Sequence, residues 1–163
     1  MRGVWSAALL ALAAPAHAFD ANGIALGAHE ADLRRVYPNA HCKELEWKSD
    51  AADRRCDDAR VRYAGVSARI TFFLKEGVVQ AFDVRFDASE LERVVAFVKS
   101  QQGTQAVEKR ESIPQRDRAP RIVYRLRWTK GRDSLEITSR PGQRRAQLIA
   151  SRGDFGAEIY RIK

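Results

Sequence analysis

The chain has 163 residues, a formal net charge of +8 and 45% hydrophobic residues. That balance fits one folded domain and excludes an intrinsically disordered chain or a multi-span membrane protein, because only the N-terminus carries a long apolar run. The charge is uneven: Lys and Arg number 13 against 14 Asp and Glu from Phe19 to Ser100, but 15 against 7 from Gln101 to Lys163.

Met1-Arg2-Gly3 is a short positive start, and Val4 to Ala14 is apolar. A run of about 11 residues has the length of a signal-peptide core and is too short for a hydrocarbon layer of about 30 Å. Pro15 breaks it, and Ala16-His17-Ala18 places small residues where a signal peptidase reads them, so cleavage after Ala18 is expected. Residues 1–18 are then a leader and 19–163 a single α+β domain, expected to be soluble and periplasmic or secreted. Phe19 stands where a lipoprotein would carry Cys, and no later stretch approaches a membrane span.

A helix is expected from about Ala28 to Tyr37, with Leu33 and Val36 on one face and Glu30 and Asp32 in the first turn. Pro38 ends it. Cys42 and Cys56 follow, and in an oxidising compartment they are expected to form a structural disulfide. Their 14-residue spacing gives a staple of about 3 kcal/mol, holding a charged loop that runs to about Asp58. Val66 to Lys75 and Val78 to Phe86 alternate as two strands around Lys75-Glu76-Gly77, with Arg69, Thr71, Asp83 and Arg85 on the side opposite the apolar stripe. Ser89 and Glu92 have capping-box spacing before a helix to about Gln102, whose stripe is Leu91, Val94, Val95 and Val98. Thr104 to Pro120 is loop-like, although Gln105 to Arg110 also fits an edge strand. A meander follows: Arg121 to Thr129, Ser134 to Ser139, Arg145 to Ala150 and Phe155 to about Ile162. Ile122, Tyr124, Leu126 and Trp128 point one way in its first strand. The pattern as a whole is an antiparallel sheet with two helices packed on one face. Two divergent α-then-β repeats remain a second reading, although the two helices do not align well.

Chemistry-bearing motifs are sparse. His29 and His41 lack metal spacing, and there is no nucleophile elbow, phosphate loop or dinucleotide fingerprint, so no metal, no cofactor and no catalytic residue is assigned. Carboxylates that meet only in space would leave no linear trace. Arg152-Gly153-Asp154 matches an adhesion tripeptide, but a three-residue match often occurs by chance and the segment reads as an ordinary turn between two strands. Arg121, Arg125 and Arg127 share one strand face, and Arg145 joins them if the meander pairs in order. Such guanidinium groups grip phosphate or carboxylate. The bland alternative is a solvated face whose arginines pair with carboxylates such as Glu136. Nucleic acid is disfavoured by export and by the lack of interleaved aromatics.

Gly23-Ile24-Ala25-Leu26-Gly27, with Glu30, Leu33 and Tyr37-Pro38-Asn39-Ala40-His41-Cys42, resembles the start of small exported proteobacterial envelope proteins. The layout also resembles the fold of the outer-membrane assembly small lipoprotein and the β-lactamase inhibitor protein. The resemblance implies a binding or assembly role, and the missing lipobox removes the anchor from that implication. The expected function is non-enzymatic binding of another envelope component, a protein or an anionic lipid or glycan, through the basic sheet face or adjoining loops. A carboxylate-dependent hydrolase of envelope glycan or lipid, and an inhibitor of a secreted enzyme, are the alternatives.

Overall fold

The computed structural model describes residues 19–116 and 118–161, apart from the side chains of Gln115 and Arg121. The expected leader, with Ala16 and Ala18 at its cleavage site, lies outside the described residues. Strands β1 (Asp20–Ala21) and β2 (Ile24–Ala25) form a small hairpin, followed by α1 (Glu30–Val36), β3 (His41–Glu44), β4 (Arg54–Tyr63), β5 (Val66–Lys75) and β6 (Val78–Asp87). A 3-10 turn (Ala88–Glu90) leads into α2 (Leu91–Gln102), then β7 (Val107–Gln115), β8 (Arg118–Lys130), β9 (Asp133–Ser139), β10 (Arg145–Ser151) and the single-turn α3 (Phe155–Glu158).

Strands β3 to β10 make one antiparallel sheet in the order β3-β4-β5-β6-β10-β9-β8-β7. Each half of the chain is a helix followed by four strands, and the last strands of the halves, β6 and β10, meet in the middle. That leaves β3 and β7 as the edges. The two-residue turns Ala64-Gly65 and Glu76-Gly77 have positive φ throughout, the mirror-image turn geometry that suits the twist of a hairpin.

The alternating residues of the strands fill one large core, including Ile70, Phe72, Phe82, Val84, Ile137 and Leu148. Leu33 of α1 and Val94 and Val98 of α2 belong to the same cluster, as does Phe19. Each such side chain contributes about 1.5–3 kcal/mol by leaving water. Asn22 locks the β1–β2 hairpin against this core: its amide donates to Tyr37 Oη (3.1 Å) and to the Arg62 carbonyl (2.9 Å). Tyr37 Oη in turn donates to the Ala21 carbonyl at 3.1 Å. Burial pushes the Tyr37 phenol up to about 12.

A second, smaller core lies on the opposite face at one end of the sheet. Phe73 and Ala81 are covered there by Ala52 of the β3–β4 loop and by Phe155 and Ile159, and the Phe73 and Phe155 rings sit 5.4 Å apart. Trp47 Nε1 donates to the Ile159 carbonyl (2.8 Å) and Ser49 Oγ to the Glu158 carbonyl (3.3 Å), fastening loop to helix. Cys42 and Cys56 are joined in a disulfide and are direct cross-strand partners of β3 and β4. The bridge closes the loop that carries Trp47.

Several elements differ from expectation. The segment from Phe155 is a helical turn rather than a strand, because Phe155 and Ile159, four residues apart, both cover the second core. The charged sequence Arg54 to Asp58 is already strand, paired with β5 throughout and with β3 from Arg54 to Asp57. The region from Val107 is the edge strand β7, whose exposed sides tolerate its charges. In place of the expected capping box at Ser89, Asp87 caps the 3-10 turn before α2: its carboxylate accepts from the Ser89 N–H at 3.0 Å and from Ser89 Oγ at 2.8 Å. Ile122, expected inward, is 52% exposed, since β8 runs past the end of β9 there.

Replacing both cysteines, Cys42→Ala with Cys56→Ala, is expected to lower stability by about 3 kcal/mol without abolishing folding. Urea titration checks this, and reduction of the parent chain should give the same shift.

Candidate functional site

The face of the sheet opposite the main core is open beyond the second core, and its outward residues form rows across the strands. One row runs Asp57, Thr71, Asp83, Ile149, Glu136, Arg127; the next runs Arg69, Arg85, Gln147, Thr138, Arg125. Of the sequence-predicted arginines, only Arg125 and Arg127 fall in these rows, one in each. Arg125 lies three strands from Arg85, roughly 14 Å, and its guanidinium pairs with Glu111 at 3.5 Å. Arg127 is exposed and stands opposite Glu136. The Arg121 backbone is opposite Ile113, towards the far end of the β7–β8 hairpin. Arg145 is elsewhere, opposite Asp87 at the centre of the sheet.

Arg145 instead joins Arg69 and Arg85. These three line a hollow of about 390 Å³, within the range of small-molecule sites, about 300–1,000 Å³. Arg69 and Arg85 are direct cross-strand partners, a like-charge placement that costs stability in a sheet. On its other side Arg69 faces a bulge: Asp58 pairs with Ile70 and Val61 with Ala68, so Ala59 and Arg60 together oppose Arg69. A bulge of this kind re-aims side chains and is common beside functional sites. Among the described residues Arg69 and Arg145 have no carboxylate within ion-pair distance.

The other charges of the hollow are tied. Arg55 Nε meets Asp57 Oδ2 at 3.1 Å, and Thr71 Oγ1 donates to Asp57 Oδ1 at 2.6 Å. Arg85 and Gln147 both donate to Asp83 Oδ2, at 3.1 and 2.8 Å. Asp83 is only 9% exposed, and its Oδ1 is buried without a hydrogen-bond partner. Burial raises the Asp83 carboxyl above its ordinary range, against the pull of Arg85 and Gln147. At the end nearest the second core the hollow is bounded by Trp47 and Tyr160, whose rings stack at 5.7 Å.

A larger, more open groove of about 690 Å³ runs along Trp47, Asp53, Arg54 and Gly77. Its Asp53 Oδ2 accepts from the Glu76 N–H at 2.8 Å, and Asp53 Oδ1 is buried without a hydrogen-bond partner. The one group of metal-type side chains among the described residues is Glu30 with Cys42 and Cys56, and the disulfide consumes both sulfurs. The Arg152-Gly153-Asp154 tripeptide is a turn with Asp154 held by Arg132 at 3.5 Å.

Arg69 and Arg85 were already on the outward side of their strands by alternation. What the sequence reading missed was their register, because a bulge in β6 sets it.

Asp83 holds its proton more tightly folded than unfolded. Folding therefore takes up protons between the ordinary value of 3.8 and the raised one, and this group's contribution to stability falls as pH rises through that window. In urea titrations across pH, Asp83→Asn should gain on the parent as pH rises through it and show a constant difference above it. A difference independent of pH would contradict this. No family model matches the chain, and neither the curated proteins nor the solved structures provide a match.

Proposed function

We propose that the chain is a non-enzymatic periplasmic protein that binds an anionic group of another envelope component through the open face of its sheet. The observation that carries this reading is the placement of Arg69 between Arg85 on one side and the β4 bulge on the other, with Arg145 lining the same hollow. An anion between these guanidinium groups would relieve their repulsion and gain paired, charge-assisted hydrogen bonds. Export rests on the N-terminal sequence, and the disulfide agrees with an oxidising compartment. No helix among the described residues is long and apolar enough to cross a membrane.

The shared core cluster of α1 and α2 supports two helices on one face. The recurring order of helix and four strands supports divergent repeats. Both features agree with the proposed kinship to small exported envelope proteins and to the β-lactamase inhibitor protein fold.

One observation favours a second reading, a carboxylate-dependent glycan hydrolase. Asp57 and Asp83 flank Thr71 in a single row, roughly 10 Å apart at the backbone, and burial raises the Asp83 carboxyl above its ordinary range. Against it, both oxygens of Asp57 are engaged, by Arg55 and Thr71, and Asp83 Oδ2 is held by Arg85 and Gln147 while its Oδ1 is buried. Release of reducing sugar from envelope glycan by the parent chain, abolished by both Asp57→Asn and Asp83→Asn, would establish this second reading; no release removes it.

The binding reading is tested by titrating the protein with pyrophosphate while recording NMR shifts of the arginine side chains. Arg69, Arg85 and Arg145 are expected to shift together, with affinity falling as salt rises. Arg69→Ala with Arg145→Ala should weaken binding at least tenfold and leave the fold intact, since both residues are exposed. Shifts spread over all arginines, or none, would overturn the reading.

A further inference from the structure

The hollow is not uniformly basic. Trp47 and Tyr160 close one end and the three arginines stand at the other. The sheet between them carries Thr71 and Asp83, with Phe73 under the aromatic end. From Phe73 to Arg69 is four residues of strand, about 13 Å.

The aromatic pair is held by structure around it. The Trp47 indole is oriented by its hydrogen bond to the Ile159 carbonyl, and its loop is stapled by the disulfide. Tyr160 is stacked on Trp47 yet 69% exposed. A large aromatic side chain left open beside a polar hollow offers a negative π face to C–H groups of partial positive charge. The hydrogen-bonding groups between are acceptors and a hydroxyl suited to O–H donors: Asp83 Oδ1 has no partner, and Thr71 lies beside it in the row.

We infer that the hollow takes an acidic saccharide, its ring on the Trp47–Tyr160 pair, its hydroxyls on Asp83 and Thr71, and its carboxylate or phosphate on Arg69, Arg85 and Arg145. This deepens the binding function proposed above and rests on it. Of the envelope anions, a simple ion has no use for the aromatic end. An acyl chain would find too little apolar surface among the arginines and aspartates. A sugar acid uses both ends, and its hydroxyls suit the polar groups of Thr71 and Asp83 on the sheet between them.

Calorimetric titration of the purified protein with four probes tests this: a galacturonic acid trimer, its neutral methyl ester, glucose 6-phosphate and pyrophosphate. The trimer or the sugar phosphate is expected to bind at least tenfold more tightly than the methyl ester and than pyrophosphate, and the better of the two identifies the acid. Tyr160→Ala, at an exposed position, should weaken the sugar acid at least fivefold relative to pyrophosphate. Trp47→Phe, which keeps an aromatic ring, should weaken it less. If pyrophosphate binds as tightly as either sugar acid, or Tyr160→Ala changes all probes equally, the saccharide inference fails and the anion site stands. If sugar acid affinity survives Arg69→Ala with Arg145→Ala, the inference also fails. If no charged probe binds, both readings fail.

Discussion

The hairpin of β5 and β6 turns on two residues, Glu76 and Gly77, and in a regular ladder that turn would pair Arg69 with Val84. The apolar stripes of the two strands would then point to opposite faces, because pairing one residue out of step reverses every side chain. Gln80 resolves the conflict. Leu74 pairs with Val79 but Phe73 pairs with Ala81, so β6 carries one extra residue and the remaining pairs bring Phe72 against Phe82 and Ile70 against Val84. Both stripes reach the main core through that single bulge. The same shift puts Thr71 beside Asp83 and Arg69 beside Arg85. The core that stabilises the fold and the charged row on its other side are therefore set by one register.

The second core depends on this geometry too. Beyond the bulge, Phe73 and Ala81 fall on the face that would otherwise be wet, and they gain a cover from the β3–β4 loop and α3. That cover carries Trp47 and Tyr160, which end the hollow. The disulfide is set in the ladder beside it, so the staple acts on a wall of the candidate site as well as on an edge strand. Asp83 is buried within this arrangement at a cost in desolvation that Arg85 and Gln147 only partly offset.

Much of this organisation was legible in the residues. The strands from Val66 and Val78, the α2 stripe of Val94 and Val98, and the pairing of Cys42 with Cys56 rest on local alternation, helical spacing and cysteine count. Elements governed by tertiary contacts were not legible. Arg54 to Asp58 carries no alternation of its own and is strand because β3 and β5 flank it. Phe155 to Glu158 is helical because two apolar residues must reach one patch. At the site, the outward positions of Arg69, Asp83 and Arg85 could be read, but the union of Arg69 and Arg85 with Arg145 needed the central contact of β6 with β10, which joins residues from opposite halves of the chain. The parity conflict of the two stripes was itself a signal for a bulge near Gln80.

The sheet ends in two very different borders. At β3 the outer strand has only four residues, and at β7 it is nine residues long. A border of that length displays a row of unpaired backbone groups and invites a second chain to add itself as a further strand. Glu108, Lys109, Arg110 and Glu111 put charge on both sides of it in succession, Pro114 removes a donor, and a register shift between Ile113 and Gln115 bends its end. A sheet of eight strands can thus stay separate from its neighbours at high concentration, and the arginine-rich composition of the second half serves colloidal stability quite apart from any ligand.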